Sequence, residues 1–224
     1  MHVGNNAIHL AIADNDEIVL RGLAAIISQQ LPQVRVRWVA HSGHEAIERA
    51  LDPLNRVGIL LLDMSLEDMP GTEACRRIRS RNGMLPILAM TAFSLNQYAA
   101  TVADAGAQGI VGKDDFNGLC QAITAVAAGG VLPAMTGGMR TVEFESARHA
   151  HERLWVEDGP SLALLTERER QVVELYAQAN KPAVIALRLK ITPGSVKTHL
   201  DRAQKRLGLS SRAELVDLWW RCQA

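Results

Sequence analysis

The chain lacks most of what marks an exported, membrane-spanning or disulfide-built protein. In 224 residues no apolar run approaches the ~20 residues that a spanning helix needs. The first residues, Met1-His2-Val3-Gly4-Asn5-Asn6, carry neither a basic stretch nor an apolar core, so no export signal is expected and the cytosol is. Cys75, Cys120 and Cys222 are odd in number and show no CxxC spacing, which argues against a disulfide framework and for reduced thiols. Net charge is missing too, with 24 basic and 24 acidic residues. That balance hides an asymmetry. Residues 161–224 carry a surplus of +5 and residues 1–160 a surplus of −5. A basic module following an acidic one suits an anion-binding tail on a metal-binding domain.

What the chain does have is alternation. Short apolar runs at Ile8–Ala13, Val34–Val39, Ile59–Leu62, Pro86–Met90 and Gly109–Val111 read as buried parallel strands. Between and after them, 17–30, 43–51, 72–81, 96–105 and 115–128 read as helices. Five such units predict an α/β fold, a doubly wound five-stranded parallel sheet of flavodoxin-like order. The second run alternates Val34, Val36 and Trp38 with Arg35 and Arg37, as an edge strand with one wet face would. Gly129-Gly130 ends the pattern, giving a first domain over 1–130. Residues 131–160, rich in Gly, Met, His and Glu, are expected to form a linker that has room for some helix.

Four polar residues follow apolar runs, Asp14, Asp63, Thr91 and Lys113, with Asn15 next to the first. Open parallel sheets gather functional groups at the carboxyl ends of their strands. A carboxylate pair, a hydroxyl and an ammonium would meet in one crevice there. Taken singly, each residue has a plainer reading: a helix-capping Asp, a packing Thr, a solvated Lys. Four at strand ends in one domain favour the crevice. Its chemistry is that of a phosphoryl-accepting aspartate, with Mg²⁺ held by oxygen ligands to neutralise the phosphate. Lys113 would pair with the acyl phosphate and Thr91 would hydrogen-bond it, small Ala92 leaving room.

On these residues the stretch 8–129 resembles the receiver domain of two-component response regulators. The resemblance implies Asp63 as phosphoacceptor, Asp14, Asn15, Asp63 and the Ser65 carbonyl around Mg²⁺, and Thr91, Ala92 and Lys113 as the switch and phosphate-binding set. Asp63-Met-Ser-Leu-Glu-Asp-Met-Pro-Gly71 keeps the family's spacing from acceptor to glycine. Three positions depart from the pattern. Asn15 replaces an acidic residue, Glu67 a proline, and Ile110 the aromatic that reports activation.

A second block carries helix-start signals at Thr166-x-x-Glu169, Pro182, Thr192-Pro193 and Ser211-x-x-Glu214. They predict a small all-α, four-helix domain over 161–224, with helices near 167–179, 182–189, 193–206 and 211–220. In the third helix Val196, Leu200, Ala203 and Leu207 form a buried stripe, opposite Lys197, Thr198, Asp201, Arg202 and Lys205. Residues 161–218 resemble the LuxR-type helix-turn-helix, and receiver plus helix-turn-helix is the arrangement of the NarL/FixJ subfamily. By position Lys197, Thr198 and Asp201 would face base edges, while Ser195, Arg202 and Lys205 would meet phosphates. Trp219-Trp220 is either core or a two-fold contact surface.

The expectation is therefore a cytoplasmic, non-enzymatic transcriptional regulator, phosphorylated on Asp63 by a sensor histidine kinase. Phosphorylation would shift a pre-existing equilibrium toward a homodimer on inverted half-sites of double-stranded DNA, without membrane contact; a second response regulator is a further candidate partner. Two alternatives stay open. One is a receiver acting as a phosphorylation-independent dimerisation platform, motivated by Asn15 and Ile110. The other is a haloacid-dehalogenase-like phosphohydrolase, motivated by Asp14-x-Asp16 but lacking the following Gly-Thr and a cap insertion.

Overall fold

The structure, a computed structural model, describes residues 7–137, 140–158, 161–209 and 211–223, and the chain divides into two units with the boundary after residue 158. In the first, β1 (Ile8–Ala13), α1 (Glu17–Gln30), β2 (Val34–Ala40), α2 (Gly43–Leu51), β3 (Ile59–Asp63), α3 (Gly71–Arg79), β4 (Ile87–Thr91), α4 (Leu95–Asp104), β5 (Ile110–Gly112) and α5 (Phe116–Ala127) alternate. All five strands are parallel, in the expected flavodoxin-like order β2-β1-β3-β4-β5.

The leucine run of β3 shows why the sheet is covered on both sides. Leu60 and Leu62 point into the apolar layer shared with α2, α3 and α4, while Leu61 joins Leu20, Leu23, Ile27, Leu119 and Ile123 of α1 and α5. Successive strand residues face opposite ways, so a strand buried on both faces must be apolar throughout. Each of these fully buried leucines contributes about 1.5–3 kcal/mol. Strand β2 is the wet edge. It carries a bulge against β1, where Leu10 pairs with Val36 and Ala11 with Trp38, passing over Arg37. Asp16, Ser42 and Asp115 cap α1, α2 and α5.

Residues 131–158, expected to form a linker, instead extend the first unit. They form a hairpin, β6 (Met135–Gly137) with β7 (Arg140–Val142), and a helix, α6 (Ala147–Asp158). Val142 and Phe144 join the α3–α4 apolar layer, and Ala150 and Leu154 of α6 are fully buried. Gln108 ties this extension to the sheet. Its Oε1 accepts from the Ile87 N–H and Arg79, its Nε2 donates to the Gly106 and Glu145 carbonyls, and its own carbonyl accepts from Leu132 N–H. The apolar anchors come in turn from a loop, a strand and a helix, so no single periodicity announced them.

In the second unit α7 (Glu167–Ala177), α8 (Pro182–Leu189), α9 (Pro193–Arg206) and α10 (Arg212–Arg221) follow a short 3₁₀ turn at Leu162–Leu164. Thr166 and Glu169 form the predicted capping box, and Glu169 is also held by Arg206 at 3.3 Å. Val196, Leu200, Ala203 and Leu207 are buried as expected, packed in a core with Val172, Ile185 and Leu215. The tryptophan pair splits: Trp219 is core and Trp220 is 52% exposed.

Candidate functional site

The crevice forms at the carboxyl ends of β1, β3, β4 and β5. Asp14 and Asp63 are almost fully buried, and Thr91 is completely so. Lys113 reaches both carboxylates, with Nζ 2.6 Å from Asp14 Oδ2 and 3.1 Å from Asp63 Oδ1. The first contact is a hydrogen bond. The second is an ion pair only, and Asp63 Oδ1 has no hydrogen-bond partner among the described residues. Burial pushes the Asp63 carboxyl above its usual range, and the charge of Lys113 works against that push. The Ser65 N–H also donates to Asp63. At the end of β4, Thr91 Oγ1 accepts from the Phe93 N–H and the Thr91 carbonyl from the Lys113 N–H. Exposed Ala92 and the mostly covered Lys113 border an apolar groove of about 380 Å³ between α1 and the start of α5.

The three departures have structural consequences. Asn15 directs its amide NH₂ at Glu67 Oε1, 3.3 Å away, so two non-standard residues pair across the mouth of the crevice. Ile110 is buried in β5. Asp16, part of the pattern behind the phosphohydrolase alternative, commits Oδ1 to the Ile18 and Val19 N–H groups at the start of α1.

Two residues hold the loop after Asp63, Gly71 and Asp68. A Cβ on Gly71 would lie 2.0 Å from the Asp63 carbonyl oxygen, so only glycine lets α3 start against the Asp63 peptide. Asp68 crosses to α2, accepting from the Gly43 N–H (2.7 Å), the His44 N–H (2.9 Å) and the His44 ring (2.7 Å). Those amides are the unpaired donors of a first helical turn. Burial pushes the Asp68 carboxyl up, but these donors outweigh it and hold its pKa at about 2. The spacing to Gly71 was visible in the sequence; nothing marked Asp68.

In the second unit the outer face of α9 carries Lys197, Thr198, Asp201, Arg202 and Lys205, all exposed. Thr192 caps the helix, accepting from the Ser195 N–H, with the Ser195 hydroxyl 2.9 Å from the Thr192 hydroxyl. Thr198 donates back to the Gly194 carbonyl. Asp201, expected at a base edge, is already bound by the guanidinium of Arg212 at the start of α10.

Comparison with known proteins agrees with both halves. The family profile "Response regulator receiver domain" matches residues 10–124, and "Bacterial regulatory proteins, luxR family" matches 163–219. The chain is 29% identical over 211 residues to transcriptional regulatory protein LnrK of Bacillus subtilis, covering 92% of this chain and 94% of that one. It is 27% identical to the nitrate/nitrite response regulator protein NarL of Escherichia coli K12, covering 92% and 91%. Among solved structures, a LuxR-family two-component response regulator from Aurantimonas is similar at TM-score 0.52 and 26% identity, over 68% of this chain and 97% of that one. The RcsB response regulator of Salmonella typhimurium shares the fold at TM-score 0.51 and 21% identity, over 97% and 99%.

Proposed function

This chain belongs to the response regulators, with a receiver domain followed by a luxR-family domain, and from that premise we propose that Asp63 accepts a phosphoryl group from a histidine kinase and that α7–α10 bind duplex DNA to regulate transcription. The observation that carries the reading is one lysine bridging two buried carboxylates at the carboxyl edge of the sheet, beside a buried threonine.

The donor set is oxygen-rich and suits Mg²⁺: Asp14, Asp63, the Asn15 amide oxygen and the Ser65 carbonyl would hold it. A buried Asp63 oxygen without a hydrogen-bond partner supports that fit. The ion, when bound, supplies positive charge against the phosphate. The chain's own groups do the rest. A carboxylate oxygen of Asp63 attacks phosphorus, and a P–O bond forms as the donor's P–N bond to histidine breaks, leaving an acyl phosphate. Lys113 then pairs with the new phosphate oxygens. Thr91 accepts from the Phe93 N–H and keeps its hydroxyl proton to donate to the phosphate.

On the DNA side, Lys197 and Thr198 reach base edges while Ser195, Arg202 and Lys205 meet phosphates. Two copies of the chain, or one with a second response regulator, would present two α9 helices to inverted half-sites. Intact-mass measurement after incubation with a small phosphodonor and Mg²⁺ tests the first half. One phosphoryl adduct is expected on the wild type and none on Asp63→Asn. An unchanged wild-type mass would overturn it.

A further inference from the structure

The single carboxylate of α9 lies among four cations, Lys197, Arg202, Lys205 and Arg206. A side chain at the Asp201 position on a DNA-facing helix would meet a duplex that carries one negative charge per ~1.7 Å of its axis. Asp201 is 58% exposed there, yet it is not alone. Arg212, the first residue of α10, donates from one guanidinium nitrogen both to Asp201 Oδ1 and to the Lys197 carbonyl, the latter at 3.5 Å. Ser211 fixes that position by accepting from the Glu214 N–H as the cap of α10. We infer that Arg212 is a positioning residue of the DNA interface: it neutralises Asp201 and ties α10 to the turn that carries Lys197, and Asp201 is its anchor rather than a reader of cytosine. The inference rests on the DNA-binding reading above.

The test uses the full chain with two probes, a duplex recovered by selection from a random-sequence library and a scrambled duplex of equal length. Arg212→Gln strips the carboxylate of its partner and is expected to weaken both duplexes roughly tenfold at low salt, the deficit narrowing as salt is raised. Adding Asp201→Asn to Arg212→Gln is expected to restore binding, a rescue that a misfolded domain would not show. Asp201→Asn alone should leave the preference between single-base variants of the selected duplex unchanged. Undiminished binding by Arg212→Gln, failure of the rescue, or a preference relaxed at one cytosine by Asp201→Asn would each overturn the inference while DNA binding stands. A wild-type chain that selects no duplex would overturn the DNA-binding reading and this inference with it.

Discussion

Around Asp63 single atoms decide what the loop can do. Gly71 sits where a Cβ would collide with the Asp63 carbonyl oxygen and the Met64 backbone, neither of which can swing aside as a flexible side chain would. Gly71→Ala should therefore destabilise the first unit by about 1–3 kcal/mol, visible as a lowered urea midpoint. It should also slow formation of the phosphoryl adduct, since the shift falls on the acceptor's own peptide. Asp68 makes a different prediction, one of sign. Its carboxyl sits at about 2 in the folded chain against an ordinary 3.8, so the charged form is the one the fold favours. The stability it contributes is present above pH ~4 and is lost as pH falls through ~2. Urea titrations of wild type and Asp68→Asn should differ above that window and converge below it. A difference that persists undiminished well below pH ~2 would mean that Asp68 acts through shape rather than charge.

Elements were read unevenly from the sequence, for physical reasons. The strands and helices of the sheet emerged because burial on both faces demands continuous apolar runs, and Ile59–Leu62 could hardly serve elsewhere. Three of the four C-terminal helices emerged because their caps are side-chain chemistry, Thr166, Thr192 and Ser211 all accepting the predicted N–H, and α8 emerged from Pro182 at its first position. The hairpin and α6 did not emerge. Their strands are three residues long, their apolar anchors share no period, and their polar anchoring is non-local: Gln108 holding Glu145, the Arg79 carbonyl 2.7 Å from the His151 ring, and Arg153 on the last carbonyls of α4. For the site, Asp14, Asp63, Thr91 and Lys113 were visible as strand-end residues, whereas the roles of Asp68 on the first amides of α2 and of Arg212 on Asp201 show only once the fold is known. The Gln108 junction is itself testable. Arg79 is fully buried with only carbonyl-type acceptors around it, and burial lowers its pKa to about 10, which still leaves it charged at neutral pH. Gln108→Leu removes one of those acceptors and the bond to Glu145. A loss of about 3 kcal/mol is expected, with amide exchange accelerated first in β6, β7 and α6. Exchange that rises uniformly across the unit would show that the extension is not held there.

For the whole molecule, the question is whether the crevice and the basic helix face are coupled. The formal charge of zero is a sum of an acidic half and a basic half, so attraction to DNA is a local property of the second unit. Lys205→Ala should accordingly weaken all duplexes alike and flatten the salt dependence by about one unit of slope, while Lys197→Ala should relax preference at its base at ~1–3 kcal/mol. Coupling is a separate quantity. If phosphorylation shifts a pre-existing equilibrium toward a dimer, affinity for a selected duplex should rise by about 5–150-fold when phosphodonor and Mg²⁺ are added. The rise should vanish in Asp63→Asn. Asn15, its link to Glu67, and buried Ile110 make the opposite outcome informative, because these are the positions at which the chain departs from the receiver pattern. Wild type and Asp63→Ala binding the duplex equally tightly without any donor would mean that the receiver holds two copies together whether or not Asp63 is modified. In that case the Lys113 bridge between Asp14 and Asp63 would be a permanent structural strut of the receiver.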